Sequence, residues 1–115
     1  MQFNVVFSDE SIDTFESIGE QIQARWGEKE VNEFRKRAYK VVEIIGKFPF
    51  IFQAVRETEN VRKAFIHKNC SMFYAVSSDY IEILFFWDTR QDIIFLSKMI
   101  FKEWLFVTIY LAASV

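Results

Sequence analysis

Three apolar, β-rich segments follow one another in the second half of the chain with almost nothing between them. They run 61–67, 70–76 and 80–87, and they are separated only by Lys68-Asn69 and by Ser77-Ser78-Asp79. Connections this short reverse a strand, whereas a parallel return needs a dozen or more residues. The spacing therefore predicts an antiparallel meander. Its last segment, Tyr-Ile-Glu-Ile-Leu-Phe-Phe-Trp, is the longest and most apolar, which places it centrally in a sheet.

The first half carries a different period. Ile12, Phe15, Ile18, Ile22 and Trp26 recur every three or four residues and define one face of a helix. Ser8, Asp9 and Ser11 just before it are good N-cap types, and Gly27 is expected to stop it in a left-handed conformation. A second helix is expected from near Glu28, with Val31, Phe34, Ala38, Val41, Val42 and Ile45 on one face. Gly46 should end it, and Pro49 prevents resumption. Residues 2–7 read as a short strand, and residues 50–60 as a connection. The expected class is α+β: a short N-terminal strand, a helical hairpin, then a three-stranded antiparallel meander forming one sheet that the helices cover.

At 115 residues the chain is long enough for one domain with its own core. Fourteen phenylalanines are more than a domain of this size hides easily, so a partner is expected to cover some. The single cysteine, Cys70, excludes an internal disulfide, and it is expected to be a buried, inert thiol. No spacing suggests a metal site or a phosphate loop, and no cofactor is expected. The N-terminus lacks the basic-then-apolar pattern of a signal peptide, and a reducing cytoplasm is the simplest compartment. The tail from Ile93 is unusually apolar. Its uncharged run, residues 104–115, is shorter than the roughly 20 residues a membrane span needs. Residues 93–115 are therefore expected to be a helical extension packed on the 1–92 domain or on a second copy of the chain, and not a membrane anchor.

Charge is segregated although the net charge is only −2. Residues 9–33 carry eight acids against two bases, and residues 35–68 carry nine bases against three acids. This predicts either a face suited to an anionic partner or simply the solvated faces of two helices.

The order of elements resembles that of the RelE/ParE superfamily of toxins from bacterial toxin–antitoxin systems, whose members include plasmid stabilisation proteins. The resemblance is carried by Trp26-Gly27, by Phe34 and the run from Ile44 to Pro49, and by Val61-Arg62-Lys63. It continues through Ser71–Val76, where the family usually has Tyr-Arg-Ile-x-Tyr-x-Val, and through Ile81–Leu84 to Trp87–Asp92. It covers about residues 1–92. RelE-like members are ribosome-dependent ribonucleases that cleave mRNA in the decoding site; ParE-like members inhibit DNA gyrase. Both are neutralised by an antitoxin that wraps a helix or an extended segment over them.

Metal-independent RNA cleavage needs a group to withdraw the 2′-hydroxyl proton, cations around the phosphorane and a proton for the leaving oxygen. The candidates are Arg62, Lys63 and Arg90 as cations, with His67 as a base titrating near neutrality. Arg90 lies where the resemblance implies a functional arginine. Lys68, Phe50, Phe52 and Trp87 are the candidate binding residues, and the Phe-rich stretch at 48–52 is either core or an antitoxin-docking surface. Three departures favour the ParE-like branch. Ser71 replaces the arginine of the Tyr-Arg-Ile pattern, and serine cannot hold a phosphate as a guanidinium does. Leu96 stands where a tyrosine or histidine is expected. The negative net charge is unsuited to an RNA-lined site. The expected function is thus a ParE-like toxin with a cognate antitoxin and gyrase as target. The alternatives are a RelE-like endoribonuclease acting on mRNA at the ribosome, and a degenerate member that serves as an interaction or homodimerisation module.

Overall fold

The computed structural model describes residues 2–55, 60–67 and 70–88. In chain order they form β1 (Asn4–Phe7), α1 (Asp9–Trp26), α2 (Glu28–Lys47), β2 (Val61–His67), β3 (Cys70–Val76) and β4 (Tyr80–Asp88). The strands make one sheet in the order β1-β4-β3-β2. The meander is antiparallel, as its short connections require. β1 joins it parallel to β4, with Asn4 opposite Tyr80 and Phe7 opposite Ile83. β4 therefore has a neighbour on each side, as its apolar sequence predicts.

β1 is shorter than the segment expected from residues 2–7. The Phe3 N–H turns away from the sheet and donates to the Gly46 carbonyl at 2.8 Å. At its other end β1 stops at Ser8, where several bonds converge. The Ser8 N–H donates to the Ile83 carbonyl at 3.1 Å. Its hydroxyl donates to the Leu84 carbonyl at 2.7 Å and accepts from the Ser11 N–H at 3.0 Å, which makes it the N-cap of α1. One turn on, the Thr14 hydroxyl accepts from the Phe86 N–H at 2.9 Å. The part of β4 that outruns β1 is thus finished by the side chains of α1, and its central backbone groups are not left unpaired.

Both helices pack on the same face of the sheet. Ile18 and Ile22 of α1 and Val31, Phe34, Ala38 and Ile45 of α2 join Ala64, Ile66, Met72, Tyr74, Val76, Ile81, Ile83 and Phe86 in one core. Phe15 bridges the layers, with its ring centroid 5.2 Å from Phe34 and 5.1 Å from Phe86. Ile12 and Trp26, at the two ends of the α1 stripe, are about half exposed.

Both helix-ending glycines behave differently from expectation. Gly27 has φ 92° but ψ −177°, an extended conformation on the positive side and not the left-handed helical one. It serves both helices: its N–H donates to the Gln23 carbonyl at 2.9 Å and its carbonyl accepts from Val31 at 3.3 Å. A one-residue junction of this kind leaves no room for a left-handed cap followed by a loop. Gly46 does not end α2, which runs on to Lys47. It is buried where β1 crosses, and a Cβ there would lie 3.4 Å from Gln2 Nε2 and 3.6 Å from Val5 Cγ2.

Two stability outcomes follow. Ser8→Ala removes both the α1 cap and the bond to Leu84, so urea unfolding should show a loss of about 2 kcal/mol. A Gly46→Ala methyl fits in ordinary contact and should leave stability within about 1 kcal/mol of wild type. Gly46→Leu should displace β1 and lower the unfolding midpoint markedly in the same assay.

Candidate functional site

Alternation along β2 sends neighbouring side chains to opposite faces. Arg62 lies opposite Tyr74 in the β2–β3 ladder and Lys63 opposite Phe73. Tyr74 belongs to the core under the helices. Phe73 belongs to the face away from the helices, where it stacks on Phe85 at 4.8 Å, and Phe85 meets Trp87 edge-on at 6.4 Å. Lys63 stays with this second group, its Nζ 6.0 Å from the centre of the Phe73 ring. A β-bulge in the β3–β4 ladder, where the register steps from Phe73–Phe85 to Tyr74–Ile83 past Leu84, shifts the alternation of β4, so that Ile81 and Ile83 join the helix-covered core while Phe85 and Trp87 lie on the other face.

Arg62 works on the edge of the sheet. Its Nη1 donates to the Phe52 carbonyl at 2.6 Å, and its guanidinium carbon lies 4.9 Å from the centre of the Phe50 ring, a cation–π distance. The segment it holds runs along β2. The Val55 N–H donates to Val61, the Lys63 N–H donates to Gln53, and Ala54 bridges Arg62 antiparallel. Below it, the Tyr74 hydroxyl donates to the Pro49 carbonyl at 2.8 Å. Burial pushes the Tyr74 phenol up to about 12 from its ordinary 10.0, against the opposing pulls of Arg62 and of a backbone hydrogen bond from Phe52. The Phe-rich stretch is thus divided: Phe52 packs against the core, while Phe48, Phe50 and Ile51 are each about 60% exposed.

His67 ends β2, five residues from Arg62, which puts roughly 15 Å between them along the strand. One phosphate cannot touch both. The ladder instead aligns His67 with Cys70, and Cys70 with Asp88, in one row across three strands. Nothing in the sequence spacing announces that row. Cys70 and Asp88 are almost fully buried, so the row belongs to the packed end of the sheet. Trp87 is only 2% exposed. Lys68, Arg90 and the 93–115 extension lie outside the described residues. Among the described residues no three His, Cys, Asp or Glu side chains gather as a metal site would need. No helix among them is long and apolar enough to cross a membrane.

A second surface was not singled out by the sequence. Phe7, Ile12, Phe15, Tyr39 and Val42 line an apolar cavity of about 110 Å³ between α1, α2 and the end of β1. A shallower groove lined by Phe3, Val5, Tyr39 and Val42 continues it along β1. Tyr39 is 66% exposed and Phe7 47%, so together they form an apolar trough open to solvent. The only sign in the sequence was the width of the apolar faces, since Tyr39 lies off the predicted stripe.

No protein-family model matches the sequence, and no well-characterised protein matches it either. The fold does match. A chain of the chromosomal ParDE toxin–antitoxin system from P. aeruginosa superposes with a TM-score of 0.65 at 12% identity, over 77% of this chain and 98% of that one. The YoeB dimer from Staphylococcus aureus gives 0.52 at 12% identity, over 74% of this chain and 94% of its own. The DinJ–YafQ toxin–antitoxin complex from E. coli gives 0.53 at 9% identity, over 76% and 93%. The described domain shares its fold with these three chains.

The environment of Tyr74 fixes a pH dependence. Its phenol keeps its proton in the fold where the unfolded chain loses it, so stability should fall as pH rises from about 10 to about 12. Tyr74→Phe should cost about 1 kcal/mol at neutral pH by orphaning the Pro49 carbonyl. It should also flatten that alkaline decline, as followed by urea midpoints measured at several pH values. Arg62→Ala should leave β2 and β3 intact but speed proteolysis and amide exchange of residues 48–55, because the hydrogen bond that ties Phe52 to β2 is removed.

Proposed function

We propose that this chain is the toxin of a toxin–antitoxin pair, of the ParE-like kind, which inhibits DNA gyrase by binding and is held inactive by a cognate antitoxin in the cytoplasm. The observation that carries the reading is the likeness to the ParDE chain, which extends over 98% of that chain and has the highest TM-score of the three. The remaining support is chemical. A RelE-like reaction needs cations and a base around one phosphate. Here Ser71 stands where the resemblance expects an arginine and is itself buried. Arg62 is committed to the Phe52 carbonyl and the Phe50 ring, and His67 sits at the far end of the strand. Binding needs none of that convergence. The antitoxin is assigned to the trough formed by Phe7, Ile12, Phe15, Tyr39 and Val42, whose exposed aromatic rim suits the apolar face of a helix.

Purified protein added to gyrase should block supercoiling of relaxed plasmid, while mRNA in a programmed ribosome stays whole. Full supercoiling at saturating protein would overturn the gyrase assignment. Cleaved message would replace it with the nuclease reading. Tyr39→Glu should weaken capture by the antitoxin encoded beside the gene about tenfold or more, measured by calorimetry, with little change in unfolding midpoint.

A further inference from the structure

The segregated charge of the two helices brackets the apolar trough. On α1, Asp9, Asp13, Glu16 and Glu20 recur at spacings of four, three and four, so they form one row on the helix surface. All four are exposed. The row runs beside Ile12, and Glu16 itself lines the cavity with Phe15 and Tyr39. On α2, Lys29, Lys36, Lys40 and Lys47 recur at spacings of seven, four and seven, again one exposed row. The helices run antiparallel. Ala38, Tyr39 and Val42 share the cavity with Ile12 and Phe15, while Val31 and Arg35 lie beside Gly19. The acidic row therefore stands on one side of the trough and the basic row on the other. Glu43, at the β1 end of the groove, is the exception on the α2 side.

Two ordinary explanations do not account for these rows. The helix dipole acts only within the first and last turns, whereas Glu16 and Glu20 lie well inside α1 and Lys29 stands in the first turn of α2, where a cation is unfavourable. A surface shaped by solubility alone intersperses the two signs and pairs them along a helix. Among the described residues the only ion pair is Glu33 with Arg37, at 3.9 Å within α2, so neither row neutralises the other.

We propose that the trough accepts an amphipathic helix with cations along one flank of its apolar stripe and acids along the other, and that the two rows set the direction in which this helix lies. The inference rests on the reading of the trough as a helix-docking site. Turning a helix end for end, with its apolar stripe kept downward, exchanges its flanks. One direction places its cations beside the α1 acids and its acids beside the α2 lysines. The other sets like charge against like on both sides, which selects against the wrong direction as well as the wrong partner. Each exposed pair contributes little, but several act together along the rows.

The test uses the full-length chain and three designed peptides of about 18 residues, the length of α1. All share one leucine stripe. The first has lysines on one flank and glutamates on the other, the second has these flanks exchanged, and the third has glutamine on both. Each carries a nitroxide at its N-terminus, and amide broadening in the protein reports which end of the trough the label approaches. The first peptide should broaden one end only, either the Ile12–Val42 end or the Gly19–Arg35 end, and the second peptide the opposite end. The glutamine peptide should broaden both and bind about tenfold more weakly. That difference should shrink as salt is raised from about 0.05 M to about 0.5 M. Glu16→Lys/Glu20→Lys should weaken the two charged peptides about tenfold while leaving the glutamine peptide unchanged. Labels at the same end for both charged peptides, or affinities equal to that of the glutamine peptide at all salt concentrations, would overturn the proposal and leave the docking reading standing. Binding that ignores Tyr39→Glu, or no binding by any peptide, would remove the docking reading and the proposal together. Self-association of the protein alone that Tyr39→Glu abolishes would give the trough to a second copy instead.

Discussion

β4 is flanked on both sides, and the rest of the domain is arranged around satisfying it. An interior strand has no solvent to complete its backbone hydrogen bonds, so each amide and carbonyl needs a protein partner. β3 serves one edge along its whole length. β1 is four residues long and reaches only Ile83 on the other edge. The shortfall is met by two hydroxyls, Ser8 and Thr14, from the first turns of α1. The helix can present them only if it starts at the end of β1 and lies close against the sheet. The same requirement therefore fixes the start of α1, its tilt over β4 and the burial of Ile18 and Ile22 beneath it.

The two faces of the sheet consequently differ in kind. The helix-covered face is aliphatic at its centre and closed by Tyr74, whose hydroxyl secures the Pro49 carbonyl. The other is an aromatic file of Phe73, Phe85 and Trp87, flanked by Lys63. Strand alternation assigns Arg62 to the first and Lys63 to the second, so two adjacent cations that look like a pair in the sequence belong to separate environments. Arg62 contributes by anchoring residues 50–54 along the outer edge of β2, which also protects that edge from pairing with another chain.

Much of this architecture is legible in the residues themselves. The meander is dictated by the two short polar breaks, and β2 and β3 begin and end where those breaks do. The helical hairpin follows from its apolar period. What the sequence leaves silent is non-local. The parallel pairing of β1 with β4 joins residues some 76 positions apart, and no local pattern encodes it. The bulge that turns Phe85 and Trp87 away from the helices is a property of the ladder. Gly46 reads as a stop because glycine commonly is one, whereas here the missing side chain makes room for Val5 and Gln2. The His67–Cys70–Asp88 row emerges only once three strands are in register, and Tyr39 gains its prominence from the trough beside it.

The parallel pairing of β1 also governs how the molecule comes into being. β1 is made well before β4, and it finds its partner only after the last strand of the meander has been made. Until then Val5, Phe7 and the start of α1 have no sheet to rest on, and the helical hairpin has only half of its floor. Closing so long a loop is a late and entropically costly event, which places the domain among slower folders. A nascent or truncated chain that stops short of β4 carries both described helices and lacks the sheet neighbour that completes their floor. The order of synthesis therefore withholds a completed binding face until nearly all of the described domain has been translated.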